Sequence, residues 1–363
     1  MADCFGPHRA GRIGRTCLSL MLAGLACLPL AAACRRSPSA HEERPATAAE
    51  VAPAERSRSF RIVGYVTDKV GTIDNLRYDR LTHINYAFLI PNDDGSVRPL
   101  YARRKLSRLV SEAHQHDVKV LLSVGGWGYD AEFEKLAANP ESRARLVSEI
   151  VRHVQEYDLD GADMDWEYPD PGESAGYFLL LMQELSAAMR AESKLLTAAV
   201  VAEGPHAAGI PSEVFDYVDF LNIMAYDGPG EHHSPYSYAE EALRYWAGRG
   251  LPADKRVLGV PFYAQPGGIP YRQLVAANET APWCDGVRYR SATVYHNSIP
   301  TLQRKVRLAL REGSGIMIWA LPYDTADATS LLAAIYDAVH GHAAGPPGGD
   351  QPPCATPAAS GAS

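Results

Sequence analysis

Short apolar runs alternate with longer amphipathic segments through most of this chain. Eight of the runs have the length of a β-strand and are bounded by polar or turn-forming residues. They span Arg61 to Val66, His83 to Leu89, Lys119 to Val124, Gly161 to Glu167, Leu196 to Val201, Val218 to Met224, Arg256 to Pro261 and Gly315 to Ala320. This alternation predicts a parallel sheet whose strands are joined by helices.

Most of the connections between these runs carry apolar residues at helical spacing. The predicted helices span Leu100 to His116, Glu141 to Tyr157, Ser174 to Glu192, Tyr238 to Gly248, Ile299 to Glu312 and Thr329 to His340. Eight repeats over roughly 280 residues suit a closed barrel better than an open doubly wound sheet. No glycine-rich phosphate fingerprint follows the first strand. We therefore predict an α/β fold, a (β/α)₈ TIM barrel formed by a single domain over residues 60–342.

The fourth run concentrates carboxylates. Asp163, Asp165 and Glu167 occupy alternate positions, so a strand places all three acids on one face and apolar side chains on the other. A solvated edge strand is an ordinary alternative for such a pattern, and a calcium loop is another. The calcium loop lacks the glycine and the final glutamate that an EF-hand requires. Carboxylates this close repel one another unless they share protons or hydrogen bonds, which is typical of a catalytic site.

In a barrel of this kind, chemistry lies at the C-terminal ends of the strands. Aromatic and polar residues recur at those ends in this sequence, as expected for a pocket that binds a ligand. The candidates are Tyr65, Phe88, Ser123, Trp127, Asp163, Asp165, Glu167, Tyr168, Met224, Tyr226, Asp227, Tyr263 and Trp319.

Four of these strand ends together resemble the family 18 glycoside hydrolases, the chitinase family. The motifs are S-x-G-G, D-x-x-D-x-D-x-E, M-x-Y-D and a late Trp, and D-G-x-D-x-D-W-E-Y-P is most similar to the chitinase branch. The resemblance spans about Arg61 to Tyr323. The segment between Tyr263 and Gly315 is too short for the α+β insertion domain of the larger chitinases. We therefore expect a shallow groove and endo action.

The positions of the three acids along the predicted strand suggest a separate role for each. Glu167 lies at the strand end and suits a general acid, because Asp165 beside it should raise its pKa. Asp163, deeper in the barrel, can share a proton with Asp165. No residue is left over as an obvious nucleophile.

The resemblance implies a substrate-assisted, retaining hydrolysis of β-1,4-linked N-acetylglucosamine polymers, in chitin or chito-oligosaccharides. It implies that Glu167 is the general acid/base, that Asp165 holds the acetamido group of the substrate and that Tyr226 hydrogen-bonds the same sugar. The residues expected to bind substrate are Tyr65, Phe88, Trp127, Tyr168, Met224, Asp227, Tyr263 and Trp319.

Two other functions remain open at this point. Peptidoglycan or glycoprotein glycans also contain N-acetylglucosamine and would require the same chemistry. A non-catalytic chitin-binding lectin on the same barrel is the other, although such proteins usually lack the acid that Glu167 supplies here. His232 and His233 are interpreted as loop residues, because no carboxylate or cysteine lies at ligand spacing. We expect neither a metal nor another cofactor.

The net charge of the chain indicates which binding partners to expect, and its N-terminal region indicates its cellular location. A net charge of −8 over 363 residues argues against nucleic-acid binding. Residues 1–33 carry basic residues, an apolar run too short for the usual ~20-residue membrane span, and three alanines, which predicts a signal peptide. Cleavage would expose Cys34, as in bacterial lipoproteins, although Leu30 is one position too early for the usual lipobox.

The segments outside the barrel are predicted to lack a packed core. The composition predicts that residues 34–59 form a flexible tether and that residues 343–363 form a disordered tail. A disulfide between Cys284 and Cys354 is left open, because Cys354 lies in that tail. We expect a monomer, exported as a cell-envelope lipoprotein or a secreted protein, with membrane attachment only through a lipidated Cys34.

Overall fold

The computed structural model describes residues 60–342 and Cys354. Eight parallel strands form a closed barrel in which the first and last strands pair, with Arg61 opposite Gly315. The strands are β1 Arg61–Thr67, β2 His83–Leu89, β3 Lys119–Gly125, β4 Gly161–Asp165, β5 Leu195–Val201, β6 Phe220–Met224, β7 Arg256–Pro261 and β8 Gly315–Trp319. The predicted (β/α)₈ barrel is confirmed.

Helices surround the barrel along the described chain. They are α1 Arg103–His114, α2 Asp130–Ala138, α3 Pro140–Glu156, α4 Glu173–Ala191, α5 Tyr236–Gly248, α6 Tyr271–Ala277, α7 Ile299–Glu312 and α8 Leu331–Val339. The six predicted helices correspond to α1, α3, α4, α5, α7 and α8, whereas α2 and α6 were not predicted. The start of helix α3 carries a common sequence signal. The side chain of Asn139 accepts hydrogen bonds from backbone amides of the first turn, and Pro140 follows it. None of the described helices has the length and apolar character needed to cross a membrane.

The core has an outer and an inner layer, and β4 contributes to both. Its apolar residues face outward, where the ring of Trp166, just past β4, lies 5.1 Å from Phe133 of α2 and 5.8 Å from Phe178 of α4. The inner layer fills the barrel with side chains from several strands, as is usual for this architecture. It contains Val63, Tyr65, Ala87, Ala199, Phe220, Met224, Val257 and Met317. The acids of β4 therefore point into the barrel, as the two-residue alternation predicted.

A small insertion separates β7 from β8. Tyr263–Ala264 pairs with Ile269–Pro270, helix α6 follows, and Gly286–Tyr289 forms a hairpin with Ala292–Tyr295. An apolar cluster of its own holds the insertion together, and Cys284 belongs to it. Cys284 is bonded to Cys354, so the disulfide that the sequence left open is present in the structure. The predicted signal peptide, the tether and the rest of the tail lie outside the described residues.

Candidate active site

Asp163 lies inside the barrel and is completely buried. One carboxylate oxygen accepts hydrogen bonds from the hydroxyls of Tyr65 at 2.6 Å and Ser123 at 2.9 Å. The other accepts from the hydroxyl of Thr197 at 2.5 Å and the amide of Asn222 at 3.1 Å. Burial raises the pKa of Asp163, and these four hydrogen bonds oppose the rise. Donors from four other strands, β1, β3, β5 and β6, thus fix this carboxylate in one orientation.

Asp165 lies two positions nearer the barrel mouth and is 3% exposed. Its Oδ1 atom is buried and has no hydrogen-bond partner among the described residues. Burial, followed by repulsion from Glu167 and from Asp163, raises the pKa of Asp165 well above its usual range. The proton sharing between Asp163 and Asp165 that the sequence suggested is not found within residues 60–342, because donors from other strands occupy Asp163. Asp165 therefore retains a free acceptor for a ligand.

Glu167 lies just beyond the end of β4 and is half-buried. Burial raises its pKa to about 7, repulsion from Asp227 adds to the rise, and a hydrogen bond with Tyr168 opposes it. The direction agrees with the sequence prediction, which attributed the shift to Asp165 alone. A carboxyl group with this pKa is partly protonated near neutral pH and can donate a proton.

Asp227 lies past β6 in a left-handed backbone conformation, with φ of 53°. Tyr263 donates from its hydroxyl to Oδ2 at 2.5 Å, and Gln265 donates from its amide to Oδ1 at 3.0 Å. The Nδ1 atom of His233 lies 3.2 Å from Oδ1. Burial alone would raise the pKa of Asp227, but the hydrogen bonds from His233, Tyr263 and Gln265 outweigh it and the pKa is lowered. Asp227 is thus held as an anion beside Glu167.

Aromatic rings from three strands meet at the barrel mouth. The ring of Trp319 at the end of β8 lies 5.3 Å from that of Tyr65 and 5.8 Å from that of Phe88, against which it stacks. Tyr226 directs its hydroxyl toward the sulfur of Met317 at 3.8 Å and is half-buried. An apolar floor therefore lies next to the acids, which suits the less polar face of a sugar ring.

Comparison with known proteins agrees with this arrangement. The sequence model of the glycosyl hydrolases family 18 matches residues 61–324. The chain belongs to this family. The matched region contains every strand of the barrel and each of the site residues described above.

Relatives and solved structures similar to this family 18 chain include several chitinases. A probable endochitinase of Caenorhabditis elegans is 30% identical over 223 residues, which cover 51% of this chain and 36% of that protein. The endochitinase of Manduca sexta is 30% identical over 234 residues, which cover 53% of this chain and 41% of that protein. The chain spans less than half the length of these two curated relatives.

Two solved chitinase structures are matched over nearly their whole length. The GH18 chitinase ChiB from the chitin utilization locus of Flavobacterium johnsoniae is 28% identical with a TM-score of 0.65, over 77% of this chain and 94% of that one. A chitinase from Rhizomucor miehei is 28% identical with a TM-score of 0.67, over 77% of this chain and 99% of that one. Both support the barrel and its family assignment.

The predicted substrate-binding residues of this family 18 barrel differ in exposure. Trp127 is 77% exposed, and its ring lies 6.5 Å from that of Tyr168, which is half-buried. Tyr65, Met224 and Tyr263 are buried. Two of them have clear tasks inside the site, since Tyr65 donates to Asp163 and Tyr263 to Asp227. Contact of Met224 with substrate stays a prediction.

Besides Thr197 and Asn222, which donate to Asp163, three residues near the site were not among the predicted set. Gln265 and His233 both hold Asp227, and Tyr323 packs against the aromatic floor. His233 had been considered only as part of a paired-histidine motif, while Gln265 and Tyr323 lie in irregular segments without a periodic signal. Among residues 60–342 and Cys354, no group of three His, Cys, Asp or Glu side chains is placed to hold a metal ion.

Proposed function

We propose that this protein is a glycoside hydrolase that cleaves β-1,4-linked N-acetylglucosamine polymers, chitin or chito-oligosaccharides, by a substrate-assisted retaining mechanism. The observation that carries the proposal is the pair formed by Glu167 and Asp165. One is a carboxyl group with a pKa of about 7, and the other is a buried carboxyl with an unused acceptor two residues away. The similarity to chitinases supplies the substrate class.

In the first step, Glu167 donates its proton to the glycosidic oxygen as the bond to the anomeric carbon breaks. The acetamido oxygen of the same sugar attacks that carbon and forms a cyclic oxazolinium ion. Asp165 accepts the acetamido N–H through its free Oδ1, which orients the group and stabilises the positive charge. The protein therefore needs no nucleophile of its own.

In the second step, the ionised Glu167 removes a proton from water, and the resulting hydroxide opens the oxazolinium ion from the opposite face of the ring. Two displacements at one carbon retain its configuration. Asp163 keeps one orientation next to Asp165 throughout, because its four hydrogen bonds prevent it from turning. Tyr226 and Asp227 bind the polar edge of the sugar, and Trp319 supports its apolar face.

Product analysis on chitin, chitosan and peptidoglycan tests the substrate. Release of N-acetylglucosamine oligomers from chitin, with little release from peptidoglycan, is the expected result. Faster release from peptidoglycan would assign the protein to the alternative glycan substrate. Binding to chitin without any product from the three polymers would indicate a lectin.

The pH dependence follows from the state of Glu167. We expect kcat/KM to decline above about pH 7, by about tenfold per pH unit, because only the protonated acid can start the reaction. Initial rates on chitotetraose between pH 5 and 9 measure this. In Asp227→Asn one cause of the raised pKa is removed, so the declining limb should move to lower pH. A limb that stays in place in this variant would contradict the assigned role of Asp227.

The shape of the site predicts the products. The insertion between β7 and β8 contains only two short pairs of strands and α6, so we expect a groove open at both ends. A long chitin oligomer should then be cut in its middle and give mixed oligomers early. Chromatography of the first products checks this. Exclusive early release of the dimer would mean that other loops close one end.

Location is a further part of the proposal. We infer that the protein is exported and that the mature chain begins at Cys34 with a lipid attached, from the alanines directly before it. Mass spectrometry of the mature N-terminus should find a lipidated Cys34. An unmodified Cys34 would leave export alone, and a retained Met1 would contradict both.

A further inference from the structure

His233 has polar contacts that converge on one residue of the site. It lies in the connection between β6 and α5 and is 3% exposed. Its Nδ1 atom lies 3.2 Å from Oδ1 of Asp227 and 3.3 Å from the backbone nitrogen of the same residue. Its Nε2 atom has no partner among the described residues. With the proton on Nδ1 the ring donates to the carboxylate of Asp227, and with the proton on Nε2 it accepts from the backbone amide of Asp227, so in both tautomers its hydrogen bond is made with Asp227.

Hydrogen bonds within the loop and from Asn297 and Lys305 hold the loop that carries His233 in place. The carbonyl of His233 accepts a hydrogen bond from the amide of Gly228 at 2.8 Å, which closes the loop on itself. The backbone carbonyl of the next residue, Ser234, accepts hydrogen bonds from the fully buried Nζ of Lys305 at 2.8 Å and from the amide of Asn297 at 2.7 Å. Displacement of the loop would leave these buried donors without an acceptor, which is unfavourable, so Lys305 and Asn297 resist it. The backbone at His233 is consequently held in one position.

Asp227, in contrast, needs external support. Its side chain is 53% exposed, and its left-handed backbone is unfavourable for a residue that has a Cβ atom. Tyr263 and Gln265 approach it from the insertion, whereas His233 approaches from its own loop. A carboxylate offers about four acceptor positions, so Tyr263, Gln265 and a His233 protonated at Nδ1 leave about one for a ligand. The direction of that remaining position depends on all three.

We propose that His233 is a positioning residue that turns the carboxylate of Asp227 toward the sugar at the cleaved bond. This inference rests on the proposed function. Without His233, one oxygen of the half-exposed carboxylate loses its fixed partner and exchanges it for water. Asp227 then spends part of its time in orientations that do not meet the substrate.

The test compares two substitutions at one position. His233→Leu removes both ring nitrogens at similar size, and we expect kcat/KM on chitotetraose to fall by roughly tenfold, the loss of one hydrogen bond to a charged group. His233→Asn keeps a polar atom where Nδ1 lies, and its amide can donate to the carboxylate or accept from the backbone. This variant should stay within about threefold of the wild type.

A double-mutant cycle separates positioning from a general structural effect. If His233 acts through Asp227, His233→Leu should change kcat/KM by less than about twofold when Asp227 is already Asn. A structural effect would persist in that background. His153→Leu is a matched control, because His153 is also buried and bonded through Nδ1, to a carbonyl within α3. It should alter the melting temperature without altering kcat/KM.

Equal losses in His233→Leu and His233→Asn, or an undiminished tenfold loss in the Asp227→Asn background, would overturn the inference. Chitotriose binding to the Glu167→Gln protein, measured by calorimetry, keeps the result independent of turnover. His233→Leu should weaken that binding by roughly tenfold and His233→Asn should not. A wild-type protein that binds but never cleaves would reject the proposed function alone, and the binding series would still judge His233. If the protein neither binds nor cleaves chito-oligosaccharide, the proposed function and the role of His233 are both rejected.

Discussion

Turnover of chito-oligosaccharides is expected to fall by about 10²- to 10⁴-fold when Glu167 is replaced by Gln. The amide keeps the shape of the side chain but carries no transferable proton, so the departing oxygen must leave unprotonated. Water activation in the second step is lost as well. Steady-state rates on chitotetraose measure the effect, and calorimetry should find that oligosaccharide binding survives.

The control for this substitution is Glu184→Gln. Glu184 lies on α4, is also half-buried, and pairs with Arg143 away from the barrel mouth. Loss of that ion pair should affect stability but leave turnover near the wild-type rate below the melting temperature. If Glu167→Gln cleaves chito-oligosaccharide as fast as the wild type, Glu167 is not the acid and the proposed mechanism is wrong.

The sequence predicted the barrel and the inward face of β4 because both depend on local periodicity. Alternating acids and apolar residues require only that a strand forms, since the pleat then separates Asp163 and Asp165 from Trp166. Strand boundaries were close for the same reason. Two boundaries differ by two residues: the sixth strand begins at Phe220 rather than Val218, and the fourth ends at Asp165 rather than Glu167, so the acid lies on the loop.

The partners of those acids could not be predicted, because they come from distant parts of the chain. Tyr65, Ser123, Thr197 and Asn222 are separated from Asp163 by 98, 40, 34 and 59 residues. Strand register places them at one height in the barrel, and register is not visible in one sequence. The suggestion that Asp163 shares a proton with Asp165 was made without these four donors, and it stays a prediction.

The same limit applies to the insertion between β7 and β8. Helix α6 is short, and the strands around it are too brief to give a periodic signal. Gln265 reaches Asp227 because its backbone pairs with that of Tyr295, in the hairpin that follows α6. A contact of this kind depends on tertiary packing alone, so only the structure identifies Gln265 as part of the site.

A polymer without acetamido groups is expected to be cut at least about 100-fold more slowly than chitin of the same length. The proposed mechanism uses the acetamido oxygen as its nucleophile, held on the substrate itself at high effective concentration. A free amine has no carbonyl oxygen to attack the anomeric carbon. No other described carboxylate replaces it, because Asp163 is fixed by four donors and Asp165 is the expected partner of the acetamido group. Rates on fully deacetylated and fully acetylated hexamers measure the difference.

Asp165→Asn provides the matching change in the protein. Asparagine can still offer an amide oxygen to the acetamido N–H, but it cannot ionise, so it can neither balance the positive charge of the oxazolinium ion nor repel an ionised Glu167. Turnover of the acetylated hexamer should therefore fall by about 10²-fold or more, as when a preorganised group is removed from a developing charge. The deacetylated hexamer cannot form that ion, so its slow rate should hardly change. Equal losses on both hexamers would show that Asp165 acts without the acetamido group, and efficient cleavage of the deacetylated hexamer by the wild type would exclude the substrate-assisted route.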